Sequence, residues 1–138
     1  MNSWATASRE RIEERLRSFD GPPAARVLKL FDLLSEWTRE KEYRGCPFQN
    51  ASSELTDPAH PAKAVIEEQR AWLVDLVKGL VLDAGVRPAE PLTQALVVLY
   101  DGAVAGTMIH RTGAGPRAAR WAAERLLSAA LAAPDHTH

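Results

Sequence analysis

From residue 62 to residue 84 no proline interrupts the chain, and its apolar residues recur with the period of an α-helix. Val65, Ile66, Gln69, Trp72, Leu73, Leu76, Val77, Leu80 and Val81 share one stripe, while Glu67, Glu68, Arg70, Asp75 and Lys78 fall outside it. At 1.5 Å per residue this helix is about 34 Å long, the depth of a small domain. Pro61 suits its first turn, where no intrahelical N–H is needed. A stripe of that length has to be covered by other elements, which in an all-helical chain are further helices.

The remaining segments supply them. Residues 8–19 read as a short helix with Ile12, Leu16 and Phe19 on one face, and with Arg9, Glu13 and Arg17 at i,i+4 spacing on another. In 24–42, Val27, Leu30, Phe31, Leu34 and Trp37 form one stripe. In 91–112, Leu92, Leu96, Leu99 and Tyr100 make a stripe, but Val97, Val98, Val104, Ala105 and Ile109 cover much of the rest, which predicts a helix buried on most sides. Segment 117–133 alternates small and large residues, with two alanine-lined faces. Asp20-Gly21-Pro22-Pro23, 45–61, 85–91 and 113–116 are the breaks, each carrying Gly or Pro. The expected fold is all-α: a bundle of five main helices, six with a short one near 46–55, in a single domain over 1–138.

Composition narrows the function. The 138 residues carry 17 basic and 18 acidic side chains, a formal charge of -1, which leaves no electrostatic footprint for nucleic acid or an anionic membrane. No apolar run approaches the roughly 18 residues of a membrane span, and no signal peptide is visible. The single cysteine, Cys46, excludes an internal disulfide framework and suits a cytoplasmic location. There is no Gly-x-Ser-x-Gly elbow, phosphate-cradling loop or His-Glu-x-x-His helix. Gly113-Ala114-Gly115 lacks a preceding strand, and Glu67-Glu68 reads as a solvated face. The expectation is therefore a protein that is not an enzyme, with no cofactor and no metal site; His136 and His138 in the tail, 134–138, are too few for a strong one.

Gly102 and Gly106 lie inside a helix at i,i+4 spacing, each costing roughly 1 kcal/mol relative to alanine. Glycines are kept in such places where a neighbour approaches the backbone closely. That neighbour is either another helix of the same chain or a second copy forming a four-helix bundle across a two-fold axis. The second reading predicts a homodimer through 91–132, with Gly102, Gly106, Trp121 and Ala122 at the seam.

Gly45-Cys46-Pro47-Phe48-Gln49-Asn50-Ala51, then Glu54, then Asp57-Pro58-Ala59-His60-Pro61, resembles a signature in the regulatory half of many TetR-family transcriptional repressors. Leu99-Tyr100-Asp101-Gly102-Ala103 resembles a second element, in the penultimate helix of that family. The order and lengths of the helices match from about residue 8 to residue 132. The resemblance implies an effector-binding and dimerisation domain: 8–19 the remnant of a connecting helix, 24–84 the ligand-cavity helices, 91–132 the dimerisation helices. In the family an N-terminal helix-turn-helix reads DNA. Only about 20 residues precede Gly21, so the expectation is that this chain lacks that module, as an isolated piece, a shortened reading frame or a free-standing sensor domain, and contacts DNA only through a module it does not contain.

A cavity between 24–42, 62–84 and 91–112 would be lined by Phe31, Trp37, Phe48, Trp72, Tyr100 and Met108, with Asn50, Gln69, Thr107 and His110 as polar groups. Each also has a plainer role. Aromatics at helical spacing make core, Asn50 and Glu54 can bond neighbouring backbone, and His110 suits a helix end through the dipole. Asp101 can meet a cationic ligand or pair with Arg111 or Arg120 at the dimer seam. The leading expectation is the sensing domain of a TetR-like repressor for a small apolar or aromatic effector. The alternatives are an interaction domain that heterodimerises with full-length regulators, and a small helical enzyme or carrier.

Overall fold

The computed structural model describes residues 2–38, 61–110 and 114–133, with side chains from 7–37, 63–106 and 114–133. Five helices make up these residues: α1 (Asn2–Arg17), α2 (Pro23–Thr38), α3 (Pro61–Asp83), α4 (Glu90–His110) and α5 (Ala114–Ala132). The all-α expectation holds. The helix proposed near 46–55, the linker 111–113 and the tail 134–138 lie outside the described residues.

α2 is the hub, packing on each of the other four helices. Val27, Leu30, Phe31 and Leu34 are almost fully buried on it, the i, i+3, i+4, i+7 set that the sequence placed on one stripe. α3 contributes Leu73, Val77, Leu80 and Val81; α4 contributes Leu96, Val97, Ala103 and Val104. α5 lays Pro116, Ala119, Ala123 and Leu127 on this core and packs most extensively against α4. Small residues at 119 and 123 allow that close approach.

The helix ends follow from local chemistry. Gly85, at φ 92°, ends α3: its N–H bonds to Leu82 O at 2.9 Å and that of Val86 to Val81 O at 3.3 Å. This is a Schellman ending, and Val86 and Val81, both buried, supply its apolar contact. At the end of α1, the Arg26 guanidinium donates to Leu16 O and Phe19 O at 3.0 and 3.3 Å, placing positive charge where the helix leaves its carbonyls unpaired. A side chain at Gly21 would strike the Phe19 ring at 2.7 Å, so the turn that folds Phe19 over this corner leaves little room.

Three sequence readings are revised. α1 begins at Asn2 rather than near residue 8, because 2–7, with Trp4 as its one large apolar residue, has no apolar period to reveal it. α5 begins at Ala114, inside the Gly-Pro punctuation; Pro116 lies in its first turn, where its missing N–H costs nothing. α4 is not buried on most sides within one chain. Val97 and Val104 face the core, but Val98 is 66% exposed, and Gly102 and Ala105 share its outward face.

Candidate functional site

Two helical faces oppose each other where α1 crosses α2. The α1 face presents Ser8, Arg11, Ile12 and Arg15, and the α2 face Leu30, Leu33, Leu34 and Trp37. Tyr100 of α4 closes the space from behind, leaving a half-open hollow of about 50 Å³. That is room for one or two waters, well below the roughly 300 Å³ at which drug-sized pockets begin. Phe31 backs this wall: its ring meets that of Tyr100 edge to face, centroids 6.3 Å apart at 64°. Glu36 sits at the rim, bonded to Arg15 Nη2 at 3.0 Å.

Of the residues singled out from the sequence, Phe31, Trp37 and Tyr100 come together here. Trp72 does not line this hollow. It lies between α3 and a different face of α1, where its indole N–H donates to Glu13 Oε1 at 2.7 Å and the Arg9 guanidinium sits 5.8 Å from the ring centre. Arg9 Nε in turn donates to Gln69 Oε1 at 2.8 Å, so the polar tips of Trp72 and Gln69 are both engaged in fastening α1 to α3. Phe48 and Asn50 lie outside the described residues, as do the side chains of Met108, Thr107 and His110 in the last turn of α4. Ser8, Arg11 and Arg15 were missed; their i, i+3, i+7 spacing was the available signal, hidden by the along-helix charge pattern of the same segment.

Asp101 pairs with Arg70 of α3, not with Arg120 as the sequence suggested; Arg111 is outside the described residues. Arg120 Nε bonds Asp32 Oδ1 of α2 at 2.7 Å instead. Both groups of that second pair are about two-fifths exposed, so it ties α5 to α2 for at most about 1 kcal/mol. Among the described residues no cluster of three or more His, Cys, Asp or Glu is placed to hold a metal.

The second feature is an apolar outer surface on the last two helices. Gly102 and Gly106 have nothing within 4 Å of an added Cβ, so neither glycine is required by packing among the described residues. Val98 stands one turn before Gly102. On α5, Trp121 is 61% exposed, with the Arg125 guanidinium 4.6 Å from its ring centre, and Leu126 and Leu131 are also exposed. Ala122, beside Trp121, is half-buried. Among the described residues no helix is long and apolar enough to cross a membrane.

A TetR-family transcriptional regulator from Streptomyces coelicolor, SCO4454, superposes with a TM-score of 0.81 over 93% of this chain and 69% of its own, at 24% identity. In sequence, the HTH-type transcriptional regulator YjdC of Escherichia coli (strain K12) is 24% identical over 102 residues, 74% of this chain. Its counterpart in Shigella flexneri matches equally. The chain spans about half the length of these curated relatives, 53%. No family model matches. The fold is thus TetR-like, and the similar proteins are transcriptional regulators rather than enzymes.

Proposed function

We propose that this chain is the effector-binding and dimerisation portion of a TetR-like transcriptional regulator, a cytoplasmic repressor that senses a small apolar or aromatic molecule. The observation that carries the reading is the outward face of α4. A helix in water gains nothing from placing Val98, Gly102 and Ala105 on its exposed side, with two glycines at a combined cost of about 2 kcal/mol, unless another surface covers them. The TetR-like fold supports a second copy as that cover, with α4 and α5 of each chain forming a four-helix seam that includes Gly102, Gly106, Trp121 and Ala122.

In this reading the effector enters between α1, α2 and α4 beside Trp37 and Tyr100, with Phe31 behind, and shifts the balance between two helix arrangements. Phe48, Asn50, Met108 and His110 stay as proposed contributors, whereas Trp72 belongs to the contact between α3 and α1. Operator binding belongs to a helix-turn-helix that is not among these five helices. Val98→Glu tests the seam, because it places a charge in an apolar contact without touching the core. The variant is expected to keep its helicity and sediment as a monomer where the parent sediments as a dimer. An unchanged dimer would remove α4 from the seam.

A further inference from the structure

The hollow between α1 and α2 is chemically two-sided. Its α1 wall includes two arginines, Arg11 and Arg15; its α2 wall is mainly apolar, with Leu30, Leu33, Leu34 and Trp37. Among the described residues Glu36 is the one carboxylate on the lining, and it already accepts from Arg15. Arg11 is engaged within the chain as well. A guanidinium has five N–H donors in a planar fork, so an arginine that holds one carboxylate keeps donors for another acceptor.

The sign of the wall sorts possible occupants. A cation would meet two guanidinium groups at close range. A neutral apolar molecule would fill the α2 side but would gain nothing from the two arginines opposite. An acid with a short apolar body satisfies both walls at once.

We propose that the hollow is a site for a small monocarboxylic acid with an aromatic or short aliphatic body. The acid group lies between Arg11 and Arg15, and the body lies against Leu33, Leu34 and Trp37 with Tyr100 behind. This rests on the effector-site reading and names the chemical class of the effector. The volume of about 50 Å³ admits only the body's leading edge as the helices stand, which puts the carboxylate at the rim, where the Arg15 side chain is 42% exposed. A rim contact of this kind is salt-sensitive.

Three probes with one skeleton separate charge from shape: phenylacetate, phenylacetamide and 2-phenylethylamine. Binding is followed by the indole NMR signal of Trp37, assigned with Trp37→Phe, at low ionic strength. Phenylacetate is expected to shift that signal and to bind about fivefold or more tightly than the amide, with the amine weakest. Arg11→Gln, at an exposed position, is expected to narrow the gap between acid and amide, Arg15 remaining, while the amide's own affinity stays put. Equal binding of acid and amide would overturn the acid class and leave an apolar effector site standing. If none of the three moves the Trp37 signal, the acid class and the effector-site reading both fall.

Discussion

Replacing Gly102 and Gly106 together by alanine separates what these residues cost one chain from what they do for two. Within the chain nothing described lies within 4 Å of either added methyl group, so the steric contribution is nil and helix propensity alone decides. Alanine is favoured over glycine by about 1 kcal/mol at each helix-interior position, giving about 2 kcal/mol for the pair. For a domain of this size that corresponds to a rise in Tm of roughly 6–8 °C. Urea unfolding followed by circular dichroism, in protein dilute enough to be monomeric, reads this gain directly. In the proposed dimer the same methyl groups stand where a second copy makes its closest approach, so at higher concentration the dimer should dissociate more readily even as each chain becomes more stable. Loss of stability in the dilute sample would mean that part of this chain packs on these positions after all. Increased stability with unchanged association would put the seam elsewhere.

Three further substitutions probe the local chemistry. Gly85→Ala forces a side chain into φ 92° with open space around it, so the cost is conformational, about 1–2 kcal/mol by urea unfolding, opposite in sign to the same change at Gly102; no loss would refute the Schellman ending as an anchor of α3. Thr93 is fully buried and its hydroxyl has no hydrogen-bond partner among the described residues, so Thr93→Val should be neutral or stabilise by up to about 1 kcal/mol, and marked destabilisation would reveal a partner for that oxygen. The Glu90 carboxyl is held below the usual glutamate value, first by its hydrogen bond from Lys78 and then by Gln94. A depressed folded-state pKa gives stability that is present above the unfolded value and lost as pH falls through the folded one. Lys78→Ala should therefore raise the Glu90 titration midpoint in NMR and flatten that acid limb; an unmoved midpoint would exclude the Lys78 contact, 3.0 Å in the structure, from solution.

The helices were legible where apolar periodicity and punctuation agree. Pro61 opens α3 and Gly85 closes it, and the Val27-Leu30-Phe31-Leu34 stripe of α2 is the buried face. Legibility ended where a partner lies far along the chain. Glu13 suggested pairs with Arg9 and Arg17 along its own helix, yet its oxygen accepts from Trp72, 59 residues away. Asp101 suggested Arg111 or Arg120, and among the described residues it pairs with Arg70 on the helix before, while Arg120 pairs with Asp32. Neither choice leaves a periodic trace, because an ion pair is set by which helices cross and not by spacing within one. The hollow was half-read for the same reason. Trp37 and Tyr100 were picked out as aromatics, with Phe31 behind them, but the arginine wall opposite belongs to α1, whose position against α2 no pattern within 8–19 specifies.

The outer faces of α4 and α5 are the proposed meeting place of two copies of this TetR-like fold. The most direct measurement is the solution mass of the purified chain by light scattering across a wide concentration range. Pairing through these faces predicts a mass near twice 15.2 kDa that holds on dilution until dissociation sets in. A mass of 15.2 kDa at every concentration would contradict it, and would leave Val98, Gly102 and Trp121 to a partner other than a second copy.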